Sequence, residues 1–175
     1  MASRSRVAAA QQVLLLLCFL PSLLSSLGAQ AKVEELTLYV HEDRVPGPSA
    51  TLITVLTTSG NLSEVGFGTI QVFSNTLREG AESTSAVMGV EPGFVTIGTQ
   101  NVFISYAFTL NTPIYNGTIC VQGQFAFNAW PRELAVVGGT GSFRFANGYD
   151  VSSIVDESNL GDYVTVHNIY LKYVS

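Results

Sequence analysis

Glu42 and Arg132 are the charged side chains whose positions suggest work inside a cavity. Glu42 shares parity with Leu36, Leu38 and Val40, so a regular strand points it to the same face as those apolar residues. A carboxyl carried into a dry cavity has a raised pKa and can act as a general acid or as a hydrogen-bond acceptor. The same carboxyl at a frayed strand end would sit in water, and parity leaves both outcomes open. Arg132 and Glu133 are adjacent and face opposite ways on a strand. On a cavity wall, an arginine anchors a phenolate, carboxylate or carbonyl oxygen through charge-assisted hydrogen bonds. A surface position is the commoner fate of an arginine.

Other candidate chemistries fail on spacing. In His41-Glu42-Asp43 only His41 and Asp43 can converge on one strand face, and the other histidine, His167, lies far along the chain, so no metal site is expected. Gly138-Gly139-Thr140-Gly141 lacks the following helix that a phosphate cradle needs and reads as a tight turn requiring positive φ. No G-x-S-x-G elbow is present. Cys120 lies in an apolar segment and reads as a small buried hydrophobe rather than a reactive thiol. Nothing in the sequence ligates copper or haem, and no cofactor is expected.

The elements that must position these residues are strands. Residues 33–41 alternate, with Leu36, Leu38 and Val40 opposite Thr37, Tyr39 and His41, which is the period of a two-faced strand. Residues 52–56 form a short apolar strand, residues 65–73 a longer one, and residues 75–85 read as a polar loop. Residues 86–90 and 94–97 flank a break at Glu91-Pro92-Gly93. Val102, Ile104, Tyr106, Phe108 and Leu110 make one apolar face, and Ile119, Val121, Phe125 and Phe127 line the next strand. Residues 132–137, 142–145 and 163–174 complete the set. Short strands between turn signals, with no amphipathic helix, predict an all-β sandwich or barrel. The Cys–Trp–Cys framework of an immunoglobulin-type sandwich is absent, which favours a small up-and-down barrel closed around a cavity.

The chain has 175 residues, 47% hydrophobic and only 12% charged, which suits one folded domain and argues against disorder. With 8 bases against 13 acids and no basic stretch, nucleic acid is an unsuitable partner. Arg4 and Arg6, the apolar run at 13–20 and Ala29-Gln30-Ala31 match a cleavable secretory signal over residues 1–31, leaving residues 32–175 as the domain. The apolar run is too short to span a bilayer, so no membrane association is expected. Removal of the signal would leave Cys120 as the sole cysteine, with no internal disulfide available. Asn61-Leu62-Ser63 and Asn116-Gly117-Thr118 are glycosylation sequons in turn-like segments, and use of Asn61 and Asn116 would place both in solvent.

Four segments together resemble a known family. The run from Arg132-Glu133-Leu134-Ala135-Val136-Val137 through Gly138-Gly139-Thr140-Gly141-Ser142-Phe143-Arg144-Phe145 to Asn147-Gly148-Tyr149 resembles the long carboxy-terminal motif of plant dirigent proteins. Leu38-Tyr39-Val40-His41-Glu42 is similar to that family's first-strand motif, Tyr115-Asn116-Gly117-Thr118 to its tyrosine-x-glycine turn, and the stretch from Phe67-Gly68 to Phe73 to its glycine-led strand. The resemblance covers residues 33–174. It implies an eight-stranded antiparallel barrel of the dirigent and allene-oxide-cyclase-like type, a homo-oligomer (trimer or dimer) and secretion to the plant apoplast or cell wall. It also implies stereoselective coupling of phenoxy radicals of the monolignol type, made by a separate laccase or peroxidase, with orientation rather than oxidation as the protein's contribution.

Carried over residue by residue, the pocket arginine falls on Arg132 and the first-strand aspartate on Glu42. A second pocket aspartate falls on Phe125, and a pocket tyrosine on Val95. These departures place the chain outside the well-characterised lignan-forming group and make its substrate pocket more apolar. Two alternatives follow: a wall or defence-related barrel that binds an apolar phenolic or glycan without stereocontrol, and a lyase that cyclises a quinone methide. On the primary reading, Arg132→Ala abolishes stereocontrol while leaving the barrel folded. Equal enantiomeric excess with variant and wild type, measured by chiral chromatography, would remove that role.

Overall fold

The computed structural model describes residues 31–156 and 163–174, so the expected signal segment lies outside the described residues except for the backbone of Ala31. Among the described residues nine strands follow one another: β1 (Ala31–Glu42), β2 (Leu52–Leu56), β3 (Ile70–Arg78), β4 (Val87–Ile97), β5 (Asn101–Asn111), β6 (Asn116–Ala126), β7 (Arg132–Gly139), β8 (Asn147–Asp156) and β9 (Tyr163–Val174). They pair in the order β1-β9-β8-β7-β6-β5-β4-β3-β2, and β1 also pairs with β3, through Tyr39 with Arg78, Val40 with Leu77 and His41 with Thr76. The ring is therefore an antiparallel barrel of eight strands. β2 continues the line of β1 along the same edge of β3, pairing with Ile70–Phe73 where β1 pairs with Thr76–Arg78. Among the described residues no helix is long and apolar enough to cross a membrane.

The alternation read in the sequence becomes the inside and outside of this ring. Leu38, Leu77, Phe108, Ile119, Val121 and Ile169 point inward and are fully buried. A 3-10 turn, Gly141–Phe143, then drives Phe143 into one end of the barrel, where its ring stacks on Tyr115 at 5.4 Å and meets Tyr173 edge-on at 5.8 Å. The hydroxyls of Tyr115 and Tyr173 both donate to the Glu34 carboxylate. That end is plugged. The opposite end, where β1 finishes and β7 and β9 begin, stays open.

Several local expectations are corrected. Residues 65–69 form a turn rather than a strand: Gly68 has φ 85° and Thr69 N–H closes onto the Gly66 carbonyl at 3.0 Å. β3 instead runs on through Asn75, where a loop was expected. Glu91-Pro92-Gly93 does not break the chain but lies within β4. Pairing to β3 continues through it, and pairing to β5 lapses only at 91–92, where Pro92 has no N–H to give. Residues 142–145 are turn rather than strand, and Gly138 and Gly139 belong to β7, leaving Gly141 with the positive φ of 58°. Cys120 is half-buried with the parity of the outer wall, since its neighbour Ile119 fills the core.

Gly93 shows how tightly the interior is drawn. A Cβ there would lie 2.5 Å from Phe73 Cζ and 2.6 Å from Tyr106 Cβ, and the second atom cannot rotate away. We expect Gly93→Ala to destabilise the barrel by about 2 kcal/mol, within the range of core overpacking. A urea midpoint equal to that of the wild type would refute this packing account.

Candidate functional site

The open end leads into a cavity of about 200 Å³. Its rim is set by strand ends: Glu42 closes β1, Phe125 lies near the end of β6, Arg132 opens β7 and Tyr163 opens β9. Further in, β3 contributes Asn75, β4 Glu91, β5 Tyr106 and β9 His167, and all of them line the same space. Each is inward for one reason, since it shares parity with the apolar residues of its own strand.

Arg132 is held flat. Its guanidinium carbon lies 3.9 Å from the centroid of Phe125 and 3.6 Å from that of Trp130, a cation–π sandwich that suits the planar, weakly hydrated guanidinium. Nε donates to the Ala129 carbonyl at 3.2 Å. The two terminal nitrogens have no protein acceptor among the described residues, so their donors are available to a ligand. Burial pulls Arg132 down to about 10, which leaves it cationic at neutral pH. At the same rim, Arg44 lies 3.4 Å above the Tyr163 ring and pairs through Nε with Glu42 Oε1. The second oxygen of Glu42 accepts from Asn75 Nδ2 at 3.1 Å, so both oxygens are engaged.

Asn75 links two acids, since the same Nδ2 also donates to Glu91 Oε2 at 2.9 Å. Asn75 is itself fixed by Thr51, whose hydroxyl donates to its Oδ1 at 2.8 Å. Glu91 is only 4% exposed, and burial pushes its carboxyl up to about 7 against the opposing pull of His167. Beside it, the fully buried Asp150 accepts from Tyr106 Oη at 2.5 Å and pairs with His167 Nδ1 at 2.7 Å, both through Oδ2. Burial alone would lower the His167 imidazole. Asp150, with Glu91 adding to it, outweighs burial and raises it. Burial and Asp150 together push the Tyr106 phenol well above its ordinary value.

The structure brings Glu42, Arg132, Phe125 and Val95 to one cavity, and Glu133 faces solvent. Asn61 and Asn116 are exposed and do not line it, one at a turn and the other at the start of β6. Three interior groups escaped the sequence reading. Glu91 sits where Pro92 and Gly93 predict a break, although it shares parity with Val95 and Ile97. Asp150 and His167 carry the parity of their own strands' buried residues, and that signal was present. What brings them together is pairing: Ser152 aligns with Arg132 on one side and with His167 on the other. Trp130 proves to be half of the Arg132 sandwich. Among the described residues no group of three His, Cys, Asp or Glu side chains could hold a metal.

Comparison with known proteins agrees with this architecture. The model of the dirigent-like protein family matches residues 33–172. Dirigent protein 21 of Arabidopsis thaliana is 32% identical over 146 residues, covering 80% of this chain and 77% of the relative. Pterocarpan synthase 1 of Glycine max is 30% identical, covering 80% and 81%. Among solved structures, the pterocarpan synthase dirigent protein GePTS1 superposes with a TM-score of 0.70 at 28% identity, covering 82% of this chain and 86% of the other. The corresponding PsPTS1 structure gives 0.73 at 25% identity, covering 82% and 97%.

The buried acid has a consequence for stability. The folded protein keeps Glu91 protonated up to about 7, whereas the unfolded chain ionises it near 4.5. The folded state therefore binds more protons across that window, and stability falls as pH rises through it. His167, raised from 6.5, carries the decline to higher pH. In urea melts across this range, Glu91→Gln should flatten the acidic part of the decline and keep the upper part. An unchanged slope would mean that the proton resides elsewhere.

Proposed function

This chain belongs to the dirigent family, and from that premise we propose that its barrel takes one small phenolic electrophile of the quinone methide class and directs the face on which it closes. The observation that carries this reading is Glu91, a cavity carboxyl that keeps a proton near neutral pH. Such an acid matches its task when its pKa lies near the working pH. Ring closure needs it: the hydroxyl of the same molecule adds to the methide carbon, the quinoid carbonyl becomes a phenol, and that oxygen takes a proton. Glu91 supplies this proton, and the proton of the attacking hydroxyl leaves to solvent or returns to the Glu91 carboxylate. The net change is an isomerisation that needs no oxidant. Glu91 suits the donor role better than Glu42, whose two oxygens are engaged by Arg44 and Asn75.

Arg132 anchors a second oxygen of the ligand through its terminal nitrogens, and the Phe125–Trp130 sandwich keeps that anchor from swinging. Val95 and the other apolar walls set which face of the ring is open, so that stereochemistry follows from orientation. The cavity of about 200 Å³ is smaller than the roughly 300–1,000 Å³ of pockets that take drug-sized ligands, which favours one aromatic ligand per barrel. The names of the pterocarpan synthase relatives and structural neighbours support the cyclising reading. Secretion to the apoplast and homo-oligomeric assembly belong to the same proposal. The outward row Ile53, Val72 and Phe94, aligned across β2, β3 and β4, supports the assembly, since Ile53 and Phe94 are exposed.

The coupling of phenoxy radicals from a separate laccase or peroxidase is the second reading. Its supporting observation is the aromatic–guanidinium stack at the rim, which orients a phenoxy ring without any proton transfer. Chiral chromatography separates the two. An ortho-quinone methide with a pendant hydroxyl, generated in solution, should close with enantiomeric excess in the presence of the protein, and Glu91→Gln should slow the directed closure by about 100-fold. Racemic closure beside an enantiomeric excess from laccase-oxidised coniferyl alcohol would overturn the first reading in favour of the second.

A further inference from the structure

The β9 wall of the cavity carries a chain of polar groups that the ring closure does not use. Asp150 spends Oδ2 on Tyr106 and His167, while its buried Oδ1 has no hydrogen-bond partner. On the far side of the imidazole, His167 Nε2 lies 3.1 Å from Thr165 Oγ1. The protonation of the ring sets the direction of this chain. Nδ1 gives its hydrogen to Asp150. When the ring is doubly protonated, the form that pairing with Asp150 favours, Nε2 carries a hydrogen as well and donates it to Thr165. A threonine hydroxyl has one hydrogen and two lone pairs, and with Nε2 as the donor the Thr165 hydrogen has no protein acceptor among the described residues. Thr165 is 7% exposed and lines the cavity. It therefore offers a ligand a hydroxyl polarised by the imidazolium behind it.

Arg132 offers its free donors from a different wall. It pairs with Ser152, which pairs with His167, so the backbones that carry the arginine and the Thr165–His167 unit stand two strand spacings apart, roughly 10 Å. We propose that Thr165, backed by His167 and Asp150, is a second oxygen-binding point in the cavity, and that the preferred ligand is an aromatic molecule carrying an oxygen function at each end, one for Arg132 and one for Thr165. The inference rests on the cavity being a phenolic site, but on no bond being formed there. It makes Thr165 a determinant of ligand choice and gives the buried Asp150–His167 pair a task, which is to hold and polarise that hydroxyl.

The test compares two probes by Trp130 fluorescence: 4-hydroxycinnamyl alcohol, with oxygen at both ends, and 4-propenylphenol, with oxygen at one. The wild type should bind the first at least about tenfold more tightly, the gain expected of a hydrogen bond to a charge-assisted donor. Thr165→Val should bring that ratio to near unity, and Thr165→Ser, which keeps the hydroxyl, should restore it. A ratio near unity in the wild type, or one that survives Thr165→Val, overturns the proposal while leaving the phenolic reading intact. Failure of the wild type to bind either probe overturns the phenolic reading, and this subsite with it.

Discussion

The pairing of β1 with β3 turns a sheet into a ring, and the ring leaves each strand residue only two environments. Closure removes the sheet edges and makes the period-2 alternation binding on all eight strands at once, because a slip of one residue would turn a whole strand inside out. A ring of eight strands has an interior just wide enough for side chains or for one small ligand. Large apolar residues occupy the end plugged by Phe143. At the other end the strands carry Glu42, Glu91, Asp150, Arg132 and His167 on inward positions, and these groups must satisfy one another.

They do so as two sets joined by charge. Arg44 and Asn75 hold Glu42, Asn75 reaches on to Glu91, and Asp150 holds Tyr106 and His167. Taking ionisable groups out of water is costly unless partners surround them, and removing one partner strands the other. Glu91 escapes part of that cost by staying protonated. The resulting cavity is unlike the one the family resemblance alone implies. The first-strand acid is present but engaged, the second acid position is an aromatic that stacks on Arg132, and the interior acid comes from β4.

Much of this was legible in the sequence, and the losses have physical causes. Parity put Glu42 on the apolar face of its strand without deciding whether water reaches it, and only the family resemblance put Arg132 in the pocket; both line the cavity. Parity failed for Glu91 because Pro92 and Gly93 imitate a turn. Within a closed ring, however, Pro92 loses only one local pairing and Gly93 is needed so that Phe73 and Tyr106 can approach. Residues 65–69 misled in the opposite sense, with alternating apolar residues that two glycines convert to a turn. The Asp150–His167–Thr165 chain was out of reach for another reason. It depends on the β8–β9 register, and no spacing along the chain reports a register.

The Phe143 plug has a consequence for traffic. With one end filled by an aromatic stack that Glu34 ties down, the cavity is a blind well, and whatever goes in must back out through the rim it entered. Occupancy is then strictly one after another. Under the proposed ring closure, a finished molecule would block the next one until it leaves, and the product would act as a competitive inhibitor by geometry alone. Arg132, flat between Phe125 and Trp130 at that rim, stands at the threshold in both directions, and on the same proposal the grip that orders arrival would also set the pace of departure.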